Sequence, residues 1–235
     1  MKNHGQRRLL LSTTLNTRDL GGYPAMDGRM TQYGRIFRTD APPSLTGADL
    51  ALLREHGIST AIDLRSGPEA ERRPSGFSGQ EGIDYHLCSF SAGNENPNIP
   101  EDVPQIYAAL LSDHANIRRV LGLIADAPAG VIYHCAVGKD RTGVITALVL
   151  LICGVPLCDV LADYQVSYTY LRPLIEEMHR QNPEFPTFLG HSNLEYMDRS
   201  LDNLFVQYGD VEGYLRAAGV SSEVVEKIRE KLLAE

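Results

Sequence analysis

The stretch VIYHCAVGKDRTGVITALVLL, residues 131–151, carries the most specific pattern in the chain. One apolar run enters it, a second apolar run leaves it, and between them a cysteine stands six residues before an arginine. This order is typical of a buried strand, a tight loop and a buried helix in succession. The sequence therefore predicts a strand that ends near Cys135 and a helix that runs over about residues 144–153.

The loop between these two elements is suited to hold an anion. Backbone N–H groups at a helix N-terminus lack partners, and the helix dipole favours negative charge there. Five residues separate Cys135 from Arg141, enough for successive amides to surround a tetrahedral oxyanion, and Gly138 supplies the backbone freedom. Arg141 adds a planar fork that binds two oxygens. The same positive field favours the thiolate of Cys135, which makes it a candidate nucleophile.

The remaining loop residues have more general roles. Thr142 can donate its hydroxyl to the sulfur, and His134 is expected to hydrogen-bond the backbone and shape the loop. Lys139 has two interpretations: it is a solvated cation, or it extends the positive surface toward a second phosphate. The predicted phosphate-binding set is Ala136, Val137, Gly138, Lys139, Arg141 and Thr142.

Composition limits the classes of function. The 235 residues include 22 basic and 30 acidic side chains, for a net charge of −8. This balance argues against a general nucleic-acid or anionic-membrane binder, so any phosphate site must be local. The longest apolar run, residues 144–155, is shorter than the roughly 20 residues of a membrane span. The N-terminal apolar stretch is shorter than a signal-peptide core of about 7–15 residues. We expect a cytoplasmic protein without stable membrane insertion.

The four cysteines, Cys88, Cys135, Cys153 and Cys158, never form a CxxC pair. This spacing suggests neither a zinc site nor a disulfide framework, and it fits a reducing compartment. Apart from Cys135, they are expected to be buried core residues. We expect no metal and no cofactor.

Strand and helix patterns alternate along the first half of the chain. Strands are predicted at residues 35–40, 59–66 and 83–90, and helices at about 46–57, 105–111 and 117–125. After the loop the patterns are helical, over residues 158–179 with Pro173 expected to bend or break the helix, and then over 193–208, 211–218 and 221–233. This order favours a three-layer α/β fold with a mostly parallel central sheet flanked by helices and a helical C-terminal half.

One domain, residues 1–235, is the simplest organisation. Its region of about 159–208 is either a lid over the loop or ordinary packing. In the lid interpretation, the aromatic side chains of Tyr164, Tyr168 and Phe188 would line a pocket above Cys135. Oligomeric state cannot be inferred from these patterns.

The loop sequence HCAVGKDRTG, residues 134–143, resembles the HCxxGxxR(S/T)G signature of the cysteine-dependent protein tyrosine phosphatase superfamily. The GKDRTG form is similar to the bacterial and fungal tyrosine/serine branch, which includes dual-specificity and phosphoinositide phosphatases. The resemblance continues, in order, through NTRDLGGY (16–23), GRIFRTD (34–40), IDLRSGPE (62–69), DYQVSYTYL (163–171) and YGDVEGYLRAAG (208–219). It therefore covers nearly the whole chain and implies a protein tyrosine phosphatase-like fold.

This resemblance implies a two-step hydrolysis of phosphomonoesters without a metal. Cys135 would attack phosphorus, Arg141 and the loop amides would stabilise the equatorial oxygens, and water would hydrolyse the phosphocysteine. The best-known relatives protonate the leaving oxygen with an aspartate in a tryptophan-containing motif, but this chain has no tryptophan. Asp140, inside the loop, is the first candidate for the acid, as suggested for this branch, and Asp102 is the second.

Other charged residues match the same family. Arg18 with Asp19, Arg38 with Asp40, and Arg65 with Glu69 are expected to form a network that pins loops around the sheet. The expected substrate is a phosphorylated protein, with phosphotyrosine first and phosphoserine or phosphothreonine next, or a phosphoinositide. Sulfur transfer or arsenate reduction would require a different loop or further redox cysteines. A silent phosphate-binding module is disfavoured because Cys135 and Arg141 are both present.

Overall fold

The computed structural model describes residues 6–92 and 97–234. In this part of the chain five strands form one sheet in the order β1, β2, β5, β3, β4. The strands are β1 (Arg18–Asp19), β2 (Ile36–Thr39), β3 (Ile58–Asp63), β4 (Asp84–Leu87) and β5 (Gly130–His134). Within the same ranges, no helix combines the length and the apolar character that a membrane crossing requires.

Helices surround this sheet and fill most of the second half of the chain. They are α1 (Gly47–Glu55), α2 (Gly67–Arg72), α3 (Val103–Ser112), α4 (His114–Asp126), α5 (Asp140–Ile152), α6 (Leu157–Gln181), α7 (Leu194–Tyr208), α8 (Val211–Ala217) and α9 (Ser222–Leu232). Short 3₁₀ turns occupy Pro100–Asp102 and Thr187–Gly190.

The sheet is parallel except at one edge. β5 lies between β2 and β3 and runs parallel to both, β3 pairs with β4 in parallel, and β1 is antiparallel to β2. The register pairs His134 with Thr39 on one side and with Asp63 on the other. The carboxyl ends of β2, β3 and β5 therefore meet at one edge of the sheet. Ligand-binding sites of such folds usually lie at this edge. The predicted α/β class with a mostly parallel sheet is confirmed.

The side chains of successive strand residues lie in two separate hydrophobic cores. Ile36 and Val131 belong to the larger core, beneath the C-terminal helices, whereas Phe37 and Ile132 belong to a smaller core that includes Leu53 of α1. Because side chains of a strand alternate between faces, this division places helices on both sides of the sheet. The three layers predicted from the sequence are present.

Three predicted boundaries need correction. The helix after the loop begins at Asp140 rather than near residue 144, so Arg141 lies in its first turn. The sequence predicts no helix between the strands at 59–66 and 83–90, but the short helix α2 lies there. Pro173 does not break α6, which continues from Leu157 to Gln181. Packing of the buried neighbours on this helix offsets the hydrogen bond that proline removes.

The cysteines outside the loop divide into two groups. Cys88 and Cys153 are buried core residues, as expected. The same expectation is wrong for Cys158, whose side chain is exposed. It is the second residue of α6, on the solvent side of the first turn, where the core does not reach it.

Candidate active site

Cys135 follows directly after β5 and lies at the floor of a cavity of about 260 Å³. Its side chain is 2% exposed. The cavity is lined by Glu69, Pro97, Val103, Ile106, Tyr107, Cys135, Ala136, Val137, Asp140, Arg141, Leu171, Leu174, Ile175, Met178, Phe185, Leu189 and Gly190. The candidate nucleophile, the arginine and the first candidate acid thus face one space.

Side chains and backbone outside the loop hold its carbonyl oxygens. The carbonyl of Ala136 accepts from the Ala41 amide at 3.1 Å. Nδ2 of Asn16 donates to the carbonyls of residues 137 and 138 at 3.1 and 2.9 Å, and Arg38 Nη2 donates to residue 138 at 2.6 Å. Since C=O and N–H of a trans peptide point in opposite directions, the amides that follow turn toward the interior of the loop. This is the arrangement that an oxyanion requires.

Gly138 has a conformation that other residues rarely adopt. Its φ is +67°, and a Cβ built at this position would lie 2.4 Å from the carbonyl oxygen of Thr39. A side chain here would therefore meet backbone that cannot move aside cheaply. The loop approaches β2 this closely because residue 138 has no side chain.

Arg141 is held by a carboxylate on the opposite wall. Its Nη1 and Nη2 donate to Glu69 Oε2 and Oε1 at 2.6 and 2.9 Å. Burial acts to raise the pKa of Glu69, but hydrogen bonds from Arg141 and the Ser66 amide outweigh it and lower this pKa to about 2. The expected Arg65–Glu69 pair is absent, because Arg65 binds Asp63 at 2.6 Å instead.

Asp140 is the first residue of α5, where a negative charge interacts favourably with the helix dipole. Its Oδ1 accepts a hydrogen bond from the Tyr107 hydroxyl at 2.5 Å. The ammonium of Lys139 lies 3.5 Å from the same oxygen. The carboxylate beside Arg141 is therefore stabilised by its helix and its neighbours.

Asp102, the second candidate acid, has a different environment. It ends the 3₁₀ turn before α3, and its Oδ2 accepts from the amides of Asn98 and Ile99 at 3.0 and 3.3 Å. It is not among the described residues that line the cavity. The geometry thus brings Asp140, and not Asp102, to Cys135.

Lys139 is buried and bound to the segment above the loop. Its side chain is 7% exposed, and its Nζ donates to the carbonyls of Leu189 and His191 at 2.8 and 2.9 Å. It is therefore not a solvated cation, and two of its three N–H donors bind backbone carbonyls. It connects the loop to the segment that covers the cavity.

His134 and Thr142 lie on either side of the loop. His134 Nδ1 is 3.1 Å from the Cys135 carbonyl, and its Nε2 is 3.0 Å from Ser75 Oγ. A carbonyl can only accept, so Nδ1 carries the hydrogen, and burial lowers the pKa of His134 and keeps it neutral. The loop-shaping role agrees with this geometry. The Thr142 hydroxyl is buried without a hydrogen-bond partner among the described residues, so the expected bond to sulfur is not formed.

The upper wall of the cavity is apolar. Leu171, Leu174, Ile175 and Met178 follow the spacing of one helical face on α6, and Phe185 and Leu189 extend the wall. The predicted aromatics do not line it. Tyr164 is covered because its hydroxyl bonds to Tyr107, Tyr168 packs edge-on against His191, and Phe188 packs against the main core.

A buried ionic network joins α6 to the sheet. Asp163 accepts from Arg18 Nε at 2.9 Å and from Arg38 Nη1 at 2.6 Å, and the Tyr23 hydroxyl donates to it at 3.0 Å. All three charged side chains are at most 2% exposed. Because Arg38 also holds the loop at residue 138, this network supports the site from below.

The predicted pinning role of these charges is therefore present, with different partners. Asp40 accepts from the amides of Leu15 and Asn16 rather than from Arg38. Asp19 accepts from the amides of Gly21 and Gly34 rather than from Arg18.

Sequence reasoning missed two residues that contact the loop. Asn16 opens the family-matching stretch 16–23, which was a usable signal for its importance. Tyr107 lies in an ordinary helical pattern, and nothing in the sequence connects it with Asp140, which is 33 positions away.

The chain is similar to known phosphatases over most of its length. Residues 9–234 match the model of the Tyrosine phosphatase family. A tyrosine-protein phosphatase of Nostoc commune is 28% identical over 234 residues, covering 89% of this chain and 78% of that protein. Triple specificity protein phosphatase PtpB of Mycobacterium tuberculosis is 30% identical over 254 residues, covering 85% of this chain and 91% of that protein.

Among solved structures, a variant of TpbA from P. aeruginosa in complex with pTyr covers 82% of this chain and 91% of its own, with 16% identity and a TM-score of 0.46. The family match and the PtpB relative define the class of protein as a phosphatase, and so an enzyme. The chain belongs to the tyrosine phosphatase family.

Proposed function

We propose that this protein hydrolyses phosphotyrosine in proteins through a phosphocysteine on Cys135. The observation that carries the proposal is the position of this thiol, buried at the floor of a cavity that Asp140 and Arg141 also line. We further propose a cytoplasmic setting, because the nucleophile must remain a reduced thiol. The whole chain acts as one catalytic domain in this proposal.

In the first step, Sγ of Cys135 attacks phosphorus in line with the ester bond. The P–O bond breaks, its electron pair goes to the leaving oxygen, and Asp140 supplies a proton to that oxygen. Arg141 and the amides of residues 136–140 stabilise the charge on the three equatorial oxygens. Glu69 orients Arg141 for this contact through its two hydrogen bonds.

In the second step, water attacks the phosphorus of the phosphocysteine. The P–S bond breaks, the sulfur leaves as a thiolate, and the Asp140 carboxylate takes a proton from the water. The products are inorganic phosphate and the free enzyme. The loop supplies the positive charge that both steps require, and the equatorial oxygens keep the same partners throughout.

The wall above Cys135 supports an aryl phosphate as the main substrate. Leu171, Ile175 and Met178 offer an apolar surface to a phenyl ring, whereas a phosphoserine side chain is too short to use it. Activity on phosphoserine or phosphothreonine is proposed as the weaker one. A phosphoinositide is the weaker alternative, because Lys139 is not among the described residues that line the cavity and its ammonium donates to two backbone carbonyls.

The region of residues 159–208 is proposed as a cover for the site. The support is that α6 and the 3₁₀ turn after it supply the upper wall of the cavity. Opening this cover would admit a phosphotyrosine on a protein surface, and closure would separate the reacting atoms from bulk solvent.

The test is release of inorganic phosphate from matched peptides carrying phosphotyrosine or phosphoserine, and from a phosphoinositide, each in the presence of a chelator. We expect the phosphotyrosine peptide to turn over fastest and Cys135→Ser to be inactive on all three. Cys158→Ser is the matched control, because it removes an exposed thiol outside the cavity, and it should retain parent activity. Equal activity of Cys135→Ser and the parent would overturn the proposal.

A further inference from the structure

Three polar side chains from three helices form a hydrogen-bonded chain that ends at the candidate acid. The hydroxyl of Tyr164 on α6 lies 2.7 Å from that of Tyr107 on α3, which donates to Asp140 on α5. Both tyrosines are 1% exposed. A hydroxyl buried this deeply needs a partner, and each tyrosine here has one.

The direction of the hydrogen bonds follows from the chemistry of the groups. An ionised Asp140 can only accept, so Tyr107 gives it its single proton and in turn accepts from Tyr164. Burial, followed by the charge of Asp140, raises the pKa of Tyr107 well above its ordinary value. Tyr107 thus remains a neutral donor and is not itself an acid for the reaction.

Both contacts of the Asp140 carboxylate fall on one oxygen. Oδ1 receives the Tyr107 hydroxyl at 2.5 Å, and the Lys139 ammonium lies 3.5 Å from it. An oxygen that accepts a hydrogen bond and also lies beside an ammonium is the poorer place for a proton. The proton of the acid form therefore belongs on Oδ2.

We propose that Tyr107 is a positioning residue for Asp140: it fixes Oδ1, and so directs the proton on Oδ2 toward the leaving oxygen. This inference rests on the proposed role of Asp140 as the acid. Tyr164 orients the Tyr107 hydroxyl from behind. The effect of Tyr107 is confined to the two proton transfers that Asp140 serves, because Tyr107 holds the carboxylate and not the nucleophile. Only the first of these transfers depends on the leaving group.

The test compares substrates that differ in their need for a proton. Phenyl phosphate has a poor leaving group, whereas 4-nitrophenyl phosphate has an activated one. The quantity compared is kcat/KM, because it reports formation of the phosphocysteine and not its hydrolysis, which is the same for both substrates. For Asp140→Asn we expect kcat/KM on phenyl phosphate to fall about 100-fold or more, because general acid catalysis contributes about 10²–10⁴-fold. For Tyr107→Phe we expect kcat/KM to fall about tenfold on phenyl phosphate and less than about twofold on 4-nitrophenyl phosphate.

Tyr214→Phe is the matched control. Tyr214 is also a buried tyrosine whose hydroxyl bonds to α3, at the Leu111 carbonyl, but it does not contact Asp140. Removal of the Tyr214 hydroxyl should change kcat/KM on both substrates equally and by little. In the Asp140→Asn background, Tyr107→Phe should add no further dependence on the leaving group.

The outcomes separate the two assignments. If Asp140→Asn shows no dependence on the leaving group, the acid is assigned wrongly, and the role of Tyr107 fails with it. A second outcome is that Asp140→Asn shows this dependence while Tyr107→Phe lowers kcat/KM on both substrates equally, or on neither. In that case only the role of Tyr107 is overturned.

Discussion

The loop of residues 135–141 is held in different ways below and above. Below it, Asn16, Arg38 and Asp163 form an anchor of buried hydrogen bonds and ion pairs. Above it, the segment 171–190 forms a roof through the apolar side chains that line the cavity. Hydrogen bonds are directional and apolar contacts are not. The anchor therefore fixes the geometry of the loop, whereas the roof can adapt to a substrate.

Among the described residues, polar contacts also connect the loop to α6 and to the segment that follows it. Lys139 binds the roof through the carbonyls of Leu189 and His191, and Tyr107 connects the loop to α6 through Tyr164. Separate substitutions can therefore weaken the anchor or the roof, and the comparison predicts different consequences. Weakening the anchor should reduce stability and activity together, and weakening the roof should mainly change local motion.

The largest decrease in the free energy of unfolding is expected for Asp163→Asn. This change leaves Arg18 and Arg38 buried without a countercharge, and breaking such a buried set costs about 3–5 kcal/mol. The free energy of unfolding in urea measures the loss. Asp159→Asn, one turn earlier on α6 and outside the network, is the control and should change little. A loss for Asp163→Asn no larger than for the control would contradict a stabilising anchor.

The same substitution should remove part of the pH dependence of stability. Burial acts to raise the pKa of Asp163, but Arg18 and Arg38 hold it well below its ordinary value. A carboxyl with a depressed folded pKa stabilises the protein above its unfolded pKa of about 4, and this contribution is lost as pH falls further. The difference in unfolding free energy between parent and Asp163→Asn should be largest near neutral pH and shrink below about pH 4. A difference that stays constant from neutral pH to below about pH 4 would show that the ionisation of Asp163 does not contribute to stability.

Gly138→Ala should break the anchor at its contact with β2. The left-handed conformation alone costs about 1–2 kcal/mol for a residue with a Cβ, and the contact with the Thr39 carbonyl adds to it. We expect kcat on phosphotyrosine peptide to fall about 100-fold, because small displacements of reacting groups have effects of this size.

Gly122→Ala is the matched control for Gly138→Ala. Gly122 lies inside α4, and a Cβ there meets nothing within 4 Å. This change should leave activity unchanged and stabilise the helix by about 0.5–1 kcal/mol. If Gly138→Ala behaved like Gly122→Ala, the close approach of loop and strand would not matter to the site.

The smallest effect on global stability is expected for Lys139→Met, which tests the roof. The variant keeps the length of the side chain but loses both hydrogen bonds to the segment 189–191. Amide exchange of residues 185–192 should become faster, because local opening depends on such contacts, while the free energy of unfolding changes by about 1 kcal/mol or less. Lys227→Met, on the surface of α9, is the control. Unchanged exchange in Lys139→Met would show that the roof does not depend on this contact.

Much of the fold could be predicted from the sequence because the determining patterns are local. The apolar runs on both sides of Cys135, Thr46 as the N-cap of α1 and the periodicity of the C-terminal helices each indicate an element on their own. The loop motif also placed Cys135, Asp140 and Arg141 at one site. The helix does not break at Pro173, since burial of the neighbouring residues on α6 lets it continue.

The supporting contacts could not be predicted because they join distant parts of the chain. Glu69 could be matched to the family, but its pairing with Arg141 depends on how α2 faces the loop. The contacts of Tyr107 with Asp140 and of Lys139 with Leu189 depend on the packing of α3 and α6. Residue type and spacing contain no information about such contacts until the helices are placed.

The most direct test of the central claim is to locate the covalent intermediate. The parent enzyme is mixed with saturating phosphotyrosine peptide, denatured within the first turnover and digested for mass spectrometry. We expect one phosphoryl group on the peptide that contains Cys135, attached to that residue, and none after the same treatment of Cys135→Ser. Full turnover with no phosphoryl group on Cys135, or with the group on another residue, would contradict the assignment of the nucleophile.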